Sequence, residues 1–385
     1  MENWQIGGFG VYIHWPFCAA KCPYCDFNSH VRKSVDQAAW KTALIKEINR
    51  LIVGSDHRVI SSIFFGGGTP SLMDPEVVAA IIDALRSGWH TANDLEVTLE
   101  ANPGSVEAGR FKAYAEAGVT RISMGVQALK DDDLKALGRL HSVAEARRAF
   151  DIAKSSFAAV SFDLIYARQH QTLEDWESEL SEALSMAVDH LSLYQLSIEQ
   201  GTAFGDRFNR GKLRGLPPDD LAADMYDMTQ NVCERYGMPA YEVSNHARSG
   251  SACNHNLVYW RGGDYLGIGP GAHGRLTTNE KRVATETIKR PETWLKAVQT
   301  KGSGELPHTP LSKADIGNEY VMMGLRLAEG ISLTRFEALA GEALPMQSVE
   351  RLCDLEMVTQ NGDTLCATPK GRLVLNAVIG ELLVG

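Results

Sequence analysis

The chain has 385 residues, of which 44% are hydrophobic and 22% are charged, an ordinary composition for a soluble globular protein. That length suits one large domain with a smaller second one. The formal net charge of −10 argues against nucleic acid as the main partner. Seven cysteines, an odd number, do not indicate a disulfide framework, so we expect a reducing cytoplasm. Met1–Ile6 lacks the features of a secretory signal, and no run reaches the ~18 apolar residues of a membrane span.

Apolar, β-prone runs alternate with helix-like segments along the first two-thirds of the chain. The predicted strands are Phe9–His14, Ile60–Phe65, Leu95–Leu99, Thr120–Gly125, Ala159–Tyr166 and His190–Ile198. The predicted helices are Val35–Val53, Pro75–Ser87, Val106–Ala117, Asp131–Leu137, Val143–Lys154, Leu173–Ala187 and Asp219–Tyr236. Six such units predict an α/β fold with a parallel sheet, either a partial (β/α)6 barrel or an open sheet. Ligands of such folds bind at the carboxyl ends of the strands.

Three cysteines lie within eight residues, in the stretch Cys18-Ala-Ala-Lys-Cys22-Pro-Tyr-Cys25. Pro16 and Pro23 oppose a helix there, so we predict a loop that wraps around a ligand. Thiolates suit either zinc or an iron–sulfur cluster. A structural zinc site needs four protein ligands, whereas three thiolates suit a [4Fe–4S] cluster with one iron left open. Three unrelated buried cysteines are the plainer alternative.

Polar and glycine-rich residues follow several of the predicted strands. The stretch Gly66–Pro70 follows the second strand, where glycines let the backbone approach a ligand closely, although a tight turn would also explain them. Glu100, Gln127 and Asp163 lie at or near the ends of three further strands. Each could bond a ribose or an amino group, and each could equally cap a loop.

A segment rich in glycine and aromatic residues contains the motif His255-Asn256-Leu257-Val258-Tyr259-Trp260. His255 is a suitable axial ligand for heme iron, and Tyr259 and Trp260 could stack on a porphyrin. The alternative is a core histidine beside two packed aromatic rings. Cys253, two residues before the histidine, is a candidate second heme ligand.

The last part of the chain has a different pattern. Lys301–Pro310 is polar and contains glycines and prolines, as in a linker. Amphipathic helices and a hairpin signal at Asn361-Gly362 follow, and together they predict a winged-helix-like module. That shape often binds DNA, but the acidic charge favours a packing or partner role. We predict two domains, residues 1–300 with the partial barrel and the candidate heme motif, and residues 305–385 with the smaller module.

The spacing C-x3-C-x2-C, with an aromatic residue before the last cysteine, resembles the signature of radical S-adenosylmethionine (SAM) enzymes. Along nearly the whole chain the resemblance is to the anaerobic coproporphyrinogen III dehydrogenase (oxidase) family, and most closely to its heme-chaperone branch. The matching stretches are Tyr12–Cys18, Gly66–Pro70, Glu100–Pro103, Ile122–Gln127, Leu137–His141, Phe162–Leu164, Ser192–Ser197 and Tyr241–Asn245. The resemblance implies a radical SAM partial barrel.

The resemblance also implies the site residues and cofactors. Cys18, Cys22 and Cys25 would hold a [4Fe–4S] cluster whose open iron chelates SAM. Tyr12, Gly67 and Glu100 would hold that SAM. In the dehydrogenases a second SAM is held at the positions of Tyr24, Gly68, Thr69, Gln127, Arg139 and Asp163. The motif residues His255, Asn256, Tyr259 and Trp260 resemble a heme-binding signature, so heme is the third cofactor expected.

Two features distinguish the branches. The dehydrogenases carry another cysteine two residues after the third, where this chain has Phe27, and the heme motif is typical of the chaperones. The resemblance therefore implies a chaperone that delivers heme to hemoproteins such as respiratory-chain components. It is compatible with a homodimer and with transient membrane association. The alternative is oxygen-independent oxidative decarboxylation of coproporphyrinogen III in porphyrin biosynthesis.

One loop departs from the family pattern. Members usually have Gly-Leu-Pro-Gly-Gln after the fifth strand, where this chain has Ala167-Arg168-Gln169-His170-Gln171. With the glycines and the proline absent, we expect this loop to follow another path. His170 adds a candidate ligand or charge near the site.

Overall fold

The computed structural model describes residues 3–53, 55, 57–105, 108–186, 189–278 and 281–384. The strands of this part are β1 Phe9–Trp15, β2 Phe17–Cys18, β3 His30–Val31, β4 Val59–Gly67, β5 His90–Ala101, β6 Arg121–Gln127, β7 Ala159–Tyr166, β8 His190–Gln195, β9 Asn245–Ala247, β10 Asp264–Ile268, β11 His273–Thr278, β12 Lys281–Glu286, β13 Thr309–Pro310, β14 Ile331–Ser332, β15 Val358–Asn361 and β16 Thr364–Ala367. The helices are α1 Asn3–Gly7, α2 Gln37–Ile52, α3 Pro75–Gly88, α4 Ala108–Glu116, α5 Asp131–Ala136, α6 Val143–Ser156, α7 Leu173–Ser185, α8 Ala203–Asn209, α9 Asp219–Arg235, α10 Asn254–Trp260, α11 Pro291–Lys301, α12 Lys313–Gly324, α13 Leu333–Ala340, α14 Met346–Asp354, α15 Pro369–Leu373 and α16 Leu375–Gly380.

The six strands predicted from the sequence lie side by side in one sheet, in the order β1, β4, β5, β6, β7, β8, and every neighbouring pair is parallel. Helices α2 to α7 connect them, so spatial order follows chain order. The predicted α/β fold built on a partial (β/α)6 barrel is confirmed. Val106 and Ala187, at the ends of two predicted helices, lie outside the described residues.

Burial explains why these segments adopt their structures. In β1 every residue except Tyr12 is buried, because both faces of the strand are covered. Helix α2 buries Trp40, Leu44 and Ile48, which are spaced four residues apart on one face. The Trp40 ring stacks on Trp294, with the ring centroids 5.4 Å apart, and this contact ties α2 to α11.

The sheet is wider than the sequence indicated. Strand β10 pairs in parallel with β1, and β11, β12 and β13 continue from it with antiparallel pairing. At the other edge β9 pairs antiparallel with β8. The sheet therefore contains eleven strands within the described part of the chain, and the parallel barrel strands form its middle.

The C-terminal residues pack around a hydrophobic cluster of their own, which includes Val321, Phe336, Leu352 and Leu365. Helices α12 to α14 accompany a three-stranded sheet in the order β14, β16, β15, and β14 lies between α12 and α13 in the chain. The predicted hairpin at Asn361-Gly362 joins β15 to β16. This arrangement agrees with a winged-helix-like module, while the boundary between residues 300 and 305 stays a prediction.

Candidate functional site

Cys22 and Cys25 lie on the loop between the short parallel strands β2 and β3, as predicted, and Cys18 ends β2 where that loop begins. The loop turns where the Cys25 amide donates to the Cys22 carbonyl oxygen over 3.2 Å. The Lys21 ammonium donates to the Ser29 carbonyl oxygen over 3.4 Å. All three thiols line one cavity of about 150 Å³, called here the cysteine cavity. Burial raises the pKa of the Cys18 thiol.

The glycine-rich stretch packs directly against the segment that leads into Cys18. The Gly68 amide donates to the Trp15 carbonyl oxygen over 2.7 Å, and the Thr69 amide donates to that of Phe17 over 2.9 Å. Gly67 has a φ of 113°, a conformation that favours glycine. The stretch is therefore both a tight turn and the second wall of the cysteine cavity, because Gly67, Gly68 and Thr69 line it.

Side chains from three further strands reach the same cavity. Glu100 lies near the end of β5, Gln127 ends β6, and Asp163 lies in β7. Arg139 reaches the cavity from the loop after α5. The residues predicted from the sequence that line the cavity with the cysteines are Tyr24, Gly67, Gly68, Thr69, Glu100, Gln127, Arg139 and Asp163. The structure brings these residues together, as expected for strand ends of a parallel sheet.

A cation and two acids set the electrostatics of the cysteine cavity. Nη1 of Arg139 donates to the Cys22 sulfur over 3.2 Å, and Nη2 donates to the Gly125 carbonyl oxygen over 2.7 Å. Burial, with a smaller contribution from the Asp163 carboxylate, raises the pKa of Glu100 to about 8. Burial also raises the pKa of Asp163 to about 6, although hydrogen bonds from Ser192 and Ser123 act to lower this pKa. Such an arrangement suits a ligand that carries both cationic and anionic groups.

Tyr12, the remaining predicted SAM residue, lies beside a second cavity of about 630 Å³, called here the large cavity. Its hydroxyl group is 3.1 Å from Nδ1 of His14, and burial raises the pKa of the phenol. Gly67 and Glu100 line both cavities, so the two cavities are neighbours.

The predicted heme motif forms helix α10, but its side chains diverge. His255 is buried, with Nδ1 2.9 Å from the Ser62 hydroxyl and Nε2 3.1 Å from the Tyr259 hydroxyl. Burial lowers the pKa of His255 to about 3. Tyr259 lines the large cavity, whereas Trp260 lines another cavity of about 500 Å³ and carries the Arg326 guanidinium over its ring.

The other two polar members of this segment bond within the protein. Nδ2 of Asn256 donates to the Tyr241 hydroxyl over 3.2 Å. The Cys253 thiol donates to Oε1 of Glu96 over 3.3 Å, and burial raises its pKa to about 12. A buried thiol with so high a pKa is a poor ligand until its surroundings change.

The loop that departs from the family pattern keeps a backbone suited to glycine. Ala167 has a φ of 57° and His170 a φ of 61°, both in the left-handed region. These are the two positions where the family pattern has glycine, and the expected new path of the loop stays a prediction. Arg168 fills the interior instead, where Nη2 donates to Glu179 over 2.6 Å and to Asp133 over 2.8 Å. The His170 ring packs against Gly215, and His170 does not line the cysteine cavity.

Several residues that the sequence analysis did not select line the two cavities. Asn102 and Ser123 line the cysteine cavity. Asn102 directly follows β5, a signal that could have found it, whereas Ser123 lies within β6 and carries no such signal. His14, His273 and Lys289 line the large cavity. His273 and Lys289 come from β11 and from the segment after β12, neither of which was predicted.

The described residues contain neither a single-ion metal site nor a membrane-spanning helix. No group of three or more His, Cys, Asp or Glu side chains there is placed to hold a single metal ion. The thiolates of a four-iron cluster bind separate iron atoms, so this finding does not conflict with such a cluster. Among those residues, no helix has the length and apolar character needed to cross a membrane.

Two regions of the chain match known protein families. Residues 12–183 match the radical SAM superfamily, and residues 311–374 match the HemN C-terminal domain. The structure superimposes on the coproporphyrinogen III oxidase HemN of Escherichia coli with a TM-score of 0.81, at 20% identity, covering 98% of this chain and 90% of that one. The chain is therefore a radical SAM protein with the HemN fold.

Similarity over almost the full length defines its place within that class. The chain is 38% identical to the heme chaperone HemW of Haemophilus influenzae, over 97% of this chain and 98% of the relative. It is 42% identical to the mitochondrial radical S-adenosyl methionine domain-containing protein 1 of Bos taurus, over 84% of this chain and 74% of the relative. The chain belongs to the HemW family.

Proposed function

We propose that this protein is a heme chaperone that binds heme, a [4Fe–4S] cluster and SAM, and delivers the heme to target hemoproteins. The observation that carries the proposal is the 38% identity with a protein named heme chaperone HemW over 97% of the chain. The superposition on HemN supports the fold alone, because the identity is only 20%. Phe27, at the position where the dehydrogenases carry a further cysteine, argues against the alternative of coproporphyrinogen III decarboxylation.

The cysteine cavity is the proposed site of the cluster and SAM. Its three thiols, with the Arg139 guanidinium against Cys22, form a donor set that suits an iron–sulfur cluster. When bound, the cluster would supply an open iron that chelates SAM. Glu100 would accept hydrogen bonds from the cationic part of SAM. Because Gly67 has no side chain, SAM could approach the backbone closely there.

The remaining predicted SAM residues divide between the two cavities. Tyr24, Gly68, Thr69, Gln127, Arg139 and Asp163 stay proposed contacts to SAM, and Tyr12 approaches from the large cavity. At about 150 Å³ the cysteine cavity alone is small for a nucleotide cofactor, since ligand pockets usually measure about 300–1,000 Å³. The neighbouring large cavity, which shares Gly67 and Glu100, provides the additional room.

The segment His255–Trp260 is the proposed heme-recognition element, with Asn256 holding the helix to Tyr241. Binding of iron by His255 requires one of its hydrogen bonds, to Ser62 or to Tyr259, to open, because both ring nitrogens are occupied. The proposed partners are heme and heme-accepting proteins such as respiratory-chain components. We place the protein in the cytoplasm on its cysteine usage, and we assign the winged-helix-like module to contact with a partner or the barrel.

The test is an anaerobic hemin titration of the reconstituted protein, followed by the Soret band. We expect saturable binding, and hemin transfer to an apo-hemoprotein when the two are mixed. A protein that binds no hemin but consumes coproporphyrinogen III would overturn the proposal in favour of the dehydrogenase. A Cys18→Ala, Cys22→Ala, Cys25→Ala variant is the control for any contribution of the cluster.

A further inference from the structure

The large cavity is the best site in the described structure for a flat ligand of heme size. Its volume of about 630 Å³ lies within the usual range of ligand pockets, whereas the cysteine cavity measures about 150 Å³ and a cavity beside Tyr320 about 210 Å³. The cavity beside Trp260 reaches about 500 Å³, but its lining contains no histidine, cysteine or methionine to bind iron.

His273 is the accessible imidazole of the large cavity. It begins strand β11, and its side chain is 51% exposed. Its Nδ1 lies 3.7 Å from Oε1 of Glu286, its direct partner across the β11–β12 ladder. Within the described residues Nε2 of His273 has no hydrogen-bond partner. A histidine that binds a metal through one nitrogen usually has a carboxylate or carbonyl near the other, and this pair matches that pattern.

The two other imidazoles near the cavity are held by internal bonds. His14 bonds through Nδ1 to the Tyr12 hydroxyl and through Nε2 to the Asn28 carbonyl oxygen, which is 3.0 Å away. His255 does not line the cavity and bonds at both nitrogens. Iron ligation by either histidine would first break a buried hydrogen bond, which costs free energy. His273 carries no such cost.

The remaining walls suit a porphyrin. The rings of Tyr259 and Tyr265, with centroids 4.2 Å apart, both line the cavity and offer aromatic surface to a macrocycle. Lys289 lines the cavity and is exposed, so its ammonium group could pair with a propionate. The hydrogen bond between His255 and Tyr259 fixes the Tyr259 hydroxyl, so the motif histidine acts here as a positioning residue.

We propose that heme binds in the part of the large cavity lined by Tyr259, His273 and Lys289, with Nε2 of His273 as a ligand to iron, the Tyr259 ring against the macrocycle and Lys289 against a propionate. The edge at Gly67 and Glu100, which the large cavity shares with the cysteine cavity, is left to SAM. This inference rests on the proposed function, since it specifies where the chaperone holds its heme. It assigns His255 to the support of Tyr259 and not to the iron.

The test is a hemin titration of the full chain with the variants His273→Ala and His308→Ala. His308 is the matched control, because it is similarly exposed, also lies beside a glutamate and does not line the cavity. We expect His273→Ala to weaken hemin binding at least tenfold and to lose the absorption spectrum of imidazole-ligated hemin. His308→Ala should match the unmodified protein. Exogenous imidazole should restore an imidazole-ligated spectrum in His273→Gly.

The outcomes separate the two proposals. Saturable hemin binding by the unmodified protein, with an unchanged spectrum and affinity in His273→Ala, overturns the ligand assignment and leaves the chaperone proposal standing. No saturable binding by the unmodified protein overturns the chaperone proposal itself. Because His273 is half-exposed on a strand, its variants should keep the fold, and a melting curve of each variant checks this.

Discussion

The backbone amide of Gly67 donates a hydrogen bond to Oε2 of Glu100 over 3.2 Å, which joins the glycine stretch after β4 to the end of β5. The carboxyl group is buried, and its pKa is raised to about 8, first by burial and then by Asp163. Without a cationic ligand, Glu100 is therefore mostly protonated at neutral pH. A cation in the cavity would favour its ionised form.

This buried acid predicts a pH-dependent effect of Glu100→Gln on the cofactor-free protein. The pKa in the folded state, about 8, exceeds the ordinary 4.5, so the stability that Glu100 contributes is full below pH 4.5 and is lost as the pH rises towards 8. Glutamine does not ionise, so the Glu100→Gln variant does not lose this stability as the pH rises. We expect the variant to be more stable by about 3 kcal/mol at about pH 7, and nearly unchanged at about pH 4.

Urea unfolding at both pH values measures the difference. The exposed Glu342→Gln is the matched control and should change stability little at either pH. A gain from Glu100→Gln that is equal at the two pH values would refute the assignment of a raised pKa to this group.

Gly68 is predicted to be intolerant of a side chain for a steric reason. A Cβ atom there would lie 2.6 Å from the carbonyl oxygen of Phe17, the residue before Cys18. Because the obstacle is backbone, Gly68→Ala should displace β2 and the cysteine loop. We expect a loss of stability of about 1–3 kcal/mol.

The same Gly68→Ala variant should also hold less iron and sulfide after anaerobic reconstitution, because the loop with the thiols shifts. Gly380→Ala is the control, since a Cβ there meets no atom within 4 Å. Full iron content and unchanged stability in Gly68→Ala would show that the close approach to Phe17 is not a constraint.

Ala167 predicts a nearly neutral glycine substitution. Its φ of 57° is left-handed, which costs an alanine about 1–2 kcal/mol, whereas glycine adopts it freely. Glycine also increases the entropy of the unfolded chain, which lowers the gain by about 0.4–1 kcal/mol. The Ala167 methyl group is buried in the hydrophobic core, and its removal lowers the gain by about 0.8 kcal/mol more. We therefore expect Ala167→Gly to change the stability by less than about 0.5 kcal/mol.

Denaturant unfolding measures the effect of Ala167→Gly. Ala84→Gly, within helix α3, is the control and should destabilise the protein by about 1 kcal/mol. A destabilisation by Ala167→Gly as large as that by Ala84→Gly would mean that the loop does not adopt the left-handed conformation in solution.

The barrel could be predicted because its signals are local. Ala159–Tyr166 was predicted with the bounds that β7 has, since an apolar run between turns specifies a buried strand. The topology of a parallel sheet then brings Glu100, Gln127 and Asp163 to one edge, whatever the details of packing. The place of these three side chains at the cysteine cavity therefore followed from periodicity and strand order, whereas Tyr24 and Arg139 came from the family resemblance.

The large cavity could not be predicted in the same way. His273 belongs to β11, whose neighbourhood is rich in glycine and gives no clear two-residue period. Tyr259 and Trp260 are adjacent in the motif, but on a helix adjacent residues point in different directions, so they reach different cavities. Which face of α10 packs on the sheet depends on long-range contacts such as that of His255 with Ser62.

The last prediction concerns the buried ion pair between Arg168, in the loop that departs from the family pattern, and Glu179 of helix α7. Nη2 of Arg168 donates to Oε2 of Glu179 over 2.6 Å, and the side chains are only 5% and 1% exposed. Oε1 of Glu179 also accepts from the Leu129 amide over 2.6 Å, which ties this pair to the segment after β6. Because removal of one partner leaves an uncompensated buried charge, Arg168→Met should destabilise the protein by about 3–5 kcal/mol.

The double variant Arg168→Met, Glu179→Gln separates loss of charge balance from loss of packing. The amide keeps an oxygen for the Leu129 amide and carries no charge, so we expect the double variant to be more stable than Arg168→Met alone. Urea unfolding of both variants and of Glu179→Gln completes the cycle. If the double variant is as unstable as the sum of the single ones, Arg168 acts through its packing and its charge contributes nothing through Glu179.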